Sequence, residues 1–193
     1  MPPDASAYDH ALVKAMEFSN AGDVPRAIEY FLEASQARPS VGLPQFLLGA
    51  EYAAAGDMAN AEAAFANAAR LAPDFPMARY QLGLVQFTAG RAAIALLTWQ
   101  PLLDLPESDP LPHFVQGFDA LARDAFDAAL HHYRQGLVRN TSNAPLSRDI
   151  EKMIAAIEAL QQRAVPDDTA ESQAPRVDTH VLLANYQQQG RSH

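Results

Sequence analysis

With no cysteine among 193 residues, any chemistry in this chain falls to side chains other than a thiol. His131 and His132 are adjacent. On a helix their rings would leave the axis about 100° apart and could not close on one metal ion, so they read as surface histidines. His10, His113, His180 and His193 have no carboxylate or second histidine at ligand spacing. Asp167 and Asp168 form an acidic pair, but Val165 to Asp178 holds almost nothing large and apolar to desolvate or orient them for acid–base work. There is no glycine-rich phosphate loop, no HExxH and no Gly-x-Ser-x-Gly elbow. Asn140 to Ser142 is a sequon, which has no meaning without a secretion signal. Met16 and Met77 suit adaptable apolar contact better than redox work. The missing cysteines exclude a disulfide framework and a thiolate site. The expectation is a protein that is not an enzyme and uses no cofactor and no metal.

Composition narrows the partners. With 49% hydrophobic and 19% charged residues, the chain can bury a sizeable core, so one globular domain plus a tail is expected. The start, MPPDASAYDH, has neither a basic n-region nor an apolar h-region, and no run approaches a membrane span; a cytoplasmic protein is expected. Fourteen basic residues stand against 23 acidic ones, a net charge of −9 with no basic cluster. A phosphate-tracking surface needs concentrated Lys and Arg, which argues against nucleic acid and anionic membrane as partners.

What organises the chain is a 34-residue step. Ala15, Gly49, Gly83 and Gly117 fall in one column; Gly22, Gly56, Gly90 and Asp124 in a second; Ala27, Ala61, Ala95 and Ala129 in a third; and Phe31, Phe65, Trp99 and Tyr133 in a fourth. The columns agree physically. A small residue in a first helix lets a neighbouring helix come close. Glycine suits a left-handed C-terminal stop. Asp23 and Asp57 then restart the chain as N-caps. In the second helix a small residue and a ring four places later share one face. Pro39 and Pro73 close the first two pairs. The spacing predicts first helices over 8–20, 43–54, 77–88 and 111–122, and second helices over 24–37, 58–71, 92–104 and 126–138.

These residues resemble the tetratricopeptide repeats, whose 34-residue period and Leu, Gly, aromatic, Ala, Phe, Ala, Pro signature they follow. The second copy carries Leu48, Gly49, Tyr52, Ala61, Phe65, Ala68 and Pro73. The third has Gln86 in the aromatic column, Leu102 in the last small column and Pro106 one residue early. The outer copies are looser: Lys14 and Gln116 stand where leucine is usual, and Thr141 where proline is. The family's early tryptophan is replaced by Ala11, Gln45, Arg79 and His113. The resemblance implies an all-α, right-handed α-solenoid of four hairpins, with repeats at about 8–41, 42–75, 76–109 and 110–143.

It also implies a ligand site, because first helices in this family line a concave face. Carried over position by position, that face takes Leu12, Met16, Ser19 and Asn20 from the first copy and Leu43, Phe46, Ala50 and Ala53 from the second. The third adds Met77, Tyr80, Leu84 and Phe87, and the fourth Leu111, Phe114, Phe118 and Leu121. Phe46, Tyr80, Phe87, Phe114 and Phe118 would be its aromatic anchors. Co-chaperones that clamp a terminal carboxylate place lysines, asparagines and an arginine on these positions; only Asn20 fits, which excludes that role. The competing reading is that the rings are core between helices in a slightly shifted register.

After the repeats, Ile150, Ile154, Ile157 and Leu160 recur at helical spacing, predicting a helix over about 145–164 that caps the open apolar end, so that residues 1–164 form the repeat domain. Residues 165–178 read as a linker. Val181, Leu182, Leu183 and Tyr186 then form a compact apolar motif within 179–193. Docking in the groove, packing on the cap and serving as a recognition peptide all remain open for it. The function expected is a protein-binding scaffold or adaptor that takes a protein or peptide with an apolar segment, the chain's own tail among the candidates. The alternatives are a chaperone of a bacterial secretion system holding apolar client segments, and a homo-oligomer built by tail exchange.

Overall fold

The structure, a computed structural model, describes residues 5–164. Residues 165–193, with the expected linker and the motif Val181, Leu182, Leu183 and Tyr186, lie outside the described residues. The chain divides into two compact units, Met1–Ala89 and Gly90–His193. The division falls inside the third repeat, after its first helix.

The first unit holds α1 (Ala5–Asn20), α2 (Val24–Ala37), α3 (Leu43–Ala54), α4 (Met58–Leu71) and α5 (Pro76–Thr88), each packed on the next in chain order. The second holds α6 (Ala92–Trp99), a 3-10 turn (Gln100–Asp104), α7 (Pro110–Ala122), α8 (Phe126–Arg139) and α9 (Ala144–Ala164). There α6 and the 3-10 turn pack on α7, α7 on α8, and α8 on α9. No strand occurs among the described residues.

The turns obey the expected glycine rule. Gly22, Gly56 and Gly90 have φ of 74°, 79° and 78°, the left-handed stop that costs glycine nothing. Asp124 takes the same conformation, φ 55°, without being glycine. The Asp23 carboxylate accepts the Arg26 backbone N–H at 3.3 Å, and Asp57 accepts that of Asn60 at 3.2 Å, so both cap the helix that follows.

Hairpin closure rests on small residues. A Cβ on Gly49 would lie 2.6 Å from the Phe65 ring, and one on Gly117 would collide with the Tyr133 ring. The first-helix backbone therefore lies directly on the aromatic residue of the second helix, which is the reason for the glycine column. Ala27, Ala61, Ala95 and Ala129 are fully buried beside those rings.

The second helix of the third repeat is shorter than the predicted 92–104. Pro101 has no N–H to give Leu97 and its ring would clash with that carbonyl, so the α-helix stops at Trp99 and continues as the 3-10 turn. At the end of the second unit, α9 buries Leu146, Ile150, Met153 and Ile157. Ile154 and Leu160, expected inward, are half-buried. Arg134 bridges Glu158 at 2.6 Å, and the Gln161 amide donates to Asp127 at 2.8 Å, so α9 runs antiparallel to α8.

Two glycines separate backbone strain from collision. Gly56→Ala, with nothing within 4 Å of the added methyl, is expected to lose about 1–2 kcal/mol from the left-handed φ alone. Gly49→Ala is expected to lose about 1–3 kcal/mol from overpacking. Urea denaturation of a double-mutant cycle checks this: Phe65→Leu should relieve the Gly49→Ala penalty and leave that of Gly56→Ala unchanged.

Candidate functional site

The expected groove residues separate by column and by unit. The column Leu12, Phe46 and Phe114 points into the hairpins, not out of them. Leu12 packs with Tyr8, Ala11 and Ala34. Phe46 packs with Ala68 and stands edge-on to Phe75, ring centroids 4.8 Å apart. Phe114 lies against Gly136, where an added Cβ would collide with its ring. In each case the partner occupies the second-helix column Ala34, Ala68 and Gly136, so a small residue there makes room for the first-helix side chain.

In the second unit all four expected residues, Leu111, Phe114, Phe118 and Leu121, are buried. Phe118 sits between Trp99, at 5.0 Å, and Tyr133, at 5.3 Å. In the first unit, Tyr80 and Phe87 are buried as well. The aromatic anchors Tyr80, Phe87, Phe114 and Phe118 therefore present no surface to a ligand, and Phe46 is mostly committed to Phe65 and Phe75. The expectation of an aromatic groove wall is corrected: these rings are core, in the shifted register that was the competing reading.

What the first unit does expose is aliphatic. Met16 is 49% and Leu43 42% exposed, Ala50 is exposed, and Met77 and Leu84 are half-buried. Val13, one helical turn before Met16 and absent from the sequence expectation, is exposed too. Ser19 donates to the Glu51 carboxylate, tying α1 to α3 beside this row. The row is apolar and unbranched at its methionines, which suits adaptable contact.

The second unit exposes apolar surface elsewhere. A hollow of about 570 Å³ is bounded by Ala93, Leu96 and Leu97 of α6, Gln100 and Leu103 of the 3-10 turn, and Val115, Gln116 and Asp119 of α7. A smaller one of about 290 Å³ shares Gln116 and Asp119 and continues to Ala120, Arg123, Ala125, Ala128 and His132. Leu97 is 72% exposed at the rim. Sequence reasoning missed this feature although two signals pointed to it. Gln116 replaces the leucine that is buried as Leu48 in the second copy, and Pro101 cuts the helix that would have run along the opening.

Titratable groups gather only loosely. Among the described residues no three His, Cys, Asp or Glu side chains are placed to hold a metal ion. His131 and His132 stack edge-on, centroids 5.6 Å apart. Burial holds His132 below the usual histidine range, and the positive potentials of His131 and His113 push the same way. Both ring nitrogens of His113 are buried and make no hydrogen bond. Asp119 pairs with Arg123 on the rim of the hollows. No described helix is long and apolar enough to cross a membrane.

Helical hairpins closed by left-handed turns, with a small residue of the first helix against a ring of the second, define the tetratricopeptide-repeat fold, an all-α solenoid class. No protein-family profile and no curated protein matches the sequence. Solved structures do. The chain is similar to MamA, residue 41 to the end, from Desulfovibrio magneticus RS-1, with 14% identity and a TM-score of 0.61 over 95% of this chain and 93% of that one. A second MamA structure gives 14% identity and a TM-score of 0.59 over 95% and 91%. YrrB, described as a TPR protein with an unusual peptide-binding site, gives 16% identity and a TM-score of 0.54 over 96% and 92%. At these identities the likeness establishes the fold, and the fold is the one the 34-residue columns predict.

Two measurements check the placement of these residues. Phe118→Ala should destabilise by about 3–5 kcal/mol, as expected for a core ring, whereas Met16→Ala should stay within about 0.5 kcal/mol, as expected for an exposed site; chemical denaturation separates them. His132 titrates below its unfolded value of about 6.5, so below that pH the unfolded chain binds more protons than the folded one. Its contribution to stability is complete above about pH 6.5 and is lost as pH falls through the folded pKa. The urea midpoint should drop between pH 7.5 and 5.5, and His132→Gln should flatten that part of the drop.

Proposed function

We propose that the chain is a non-enzymatic protein-interaction module that binds an apolar segment of a partner on the first-helix face of its first unit. The observation that carries this reading is the set of exposed Met16, Leu43 and Ala50 and half-buried Met77 and Leu84, with exposed Val13 one turn before Met16. These are apolar side chains on first helices that the hairpin cores do not absorb. Contiguous exposed apolar surface in a water-soluble fold marks an interaction site. The peptide-binding site named for YrrB supports a ligand on this fold without specifying one.

The chemistry of the row defines the ligand. It offers methionine, leucine and alanine, without rings and with Ser19 and Glu51 as neighbouring polar groups, so the partner supplies the larger side chains. An amphipathic helix with apolar residues at i, i+3 and i+4 matches such a surface. The net charge of −9 disfavours an acidic partner at low salt.

Panning a displayed random-peptide library against the full chain tests this. Selected peptides should be rich in large apolar residues, and Met16→Glu and Leu43→Glu should each weaken their binding about tenfold or more, roughly 1.4 kcal/mol, without altering the circular dichroism. Peptides that bind the two variants as well as the native chain would overturn the assignment.

A further inference from the structure

We infer that the hollow between α6, the 3-10 turn and α7 is the seat of the chain's own apolar segment Val181, Leu182, Leu183 and Tyr186. This concerns a different surface from the first-helix face above and stands or falls separately.

The hollow, about 570 Å³, has walls made of Leu96, Leu97, Leu103 and Val115. That volume is in the range of ordinary ligand pockets and takes a few aliphatic side chains. Leu97 and Leu103 are left at its edge as exposed large apolar residues. Water is a poor occupant for such walls, because five of the eight lining residues are apolar and only Gln100, Gln116 and Asp119 offer polar groups to hold it.

The course of the chain identifies the occupant. The Gln161 amide is bonded to Asp127 in the first turn of α8 at 2.8 Å, so the last turn of α9 ends beside that turn. Ala125 and Ala128, at the same end of α8, line the smaller hollow, which shares Gln116 and Asp119 with the larger one. The chain therefore leaves α9 at one end of a trough whose other end is the apolar hollow. From Ala164 to Val181 there are 17 residue steps, a reach of about 55 to 60 Å when fully extended. The 13-residue α7 that floors the trough is only about 20 Å long at 1.5 Å per residue. The tether thus spans the distance with slack, and attachment through so short a stretch of chain gives roughly millimolar effective concentration. That favours the segment of the same chain over one from a second copy.

The absence of cysteine allows a clean test in the full chain. Leu97→Cys should react slowly with a maleimide, and adding Leu182→Asp and Leu183→Asp should speed the reaction about tenfold, the ratio expected if the segment occupies the hollow nine-tenths of the time. Combined instead with Leu183→Cys, Leu97→Cys should oxidise to an intramolecular disulfide in a monomer. The pair Val138→Cys and Leu183→Cys, with Val138 exposed on α8, should oxidise far more slowly. Equal oxidation of the two pairs, or a Leu97→Cys rate unmoved by the aspartates, would overturn the inference. A disulfide-linked dimer as the main product would overturn docking within one chain.

Discussion

The contact on which the second and fourth hairpins depend is a helix backbone laid directly on an aromatic ring. Gly49 on Phe65 and Gly117 on Tyr133 leave no room for a single methyl group. A ring so covered buries a large apolar area with no gap behind it, and dispersion contacts are lost steeply when such a gap opens. The left-handed turn after each first helix serves the same end. It reverses the chain within a few residues, so that the second helix returns at the height where the ring meets the glycine. Position within the repeat and packing in space are thereby locked together, and a fixed 34-residue step follows from them.

That coupling explains what the sequence made legible. A contact with no tolerance leaves a column of small residues, a turn with positive φ leaves a column of glycines, and a cap leaves aspartate. Even the exception was visible: Asp124 stands in the glycine column and adopts the same left-handed backbone, which aspartate tolerates better than most residues. Pro101 was equally visible, but the helix was expected to run past it to residue 104.

The outward face was harder to read, because rotation about a helix axis by one residue, about 100°, changes the side chain presented without changing the period. Leu12, Phe46 and Phe114 were assigned outward on family positions, yet each lies against the small second-helix residue of its own repeat, Ala34, Ala68 or Gly136. The pairing of large with small across a hairpin carried the information, and Gly136 beside Phe114 was its strongest instance. Methionine and alanine, which make weaker demands on their surroundings, remained outside at Met16 and Ala50. The apolar surface of this protein is therefore aliphatic where rings were expected.

The two apolar surfaces differ in shape. The row on the first unit is a line of single side chains, each half in solvent. It gains affinity only from the summed area of a partner that already presents a complementary face. The hollow of the second unit is lined by α6, the 3-10 turn and α7, so a few side chains would gain much of their burial together. It is joined through Gln116 and Asp119 to the smaller hollow, which lies toward the end of α9. A free ligand competes for such a hollow with any tethered segment at millimolar effective concentration, so it must bind more tightly by the ratio of the two concentrations. Gln116 in the leucine column and the end of the α-helix before Pro101 are what open the hollow of the second unit.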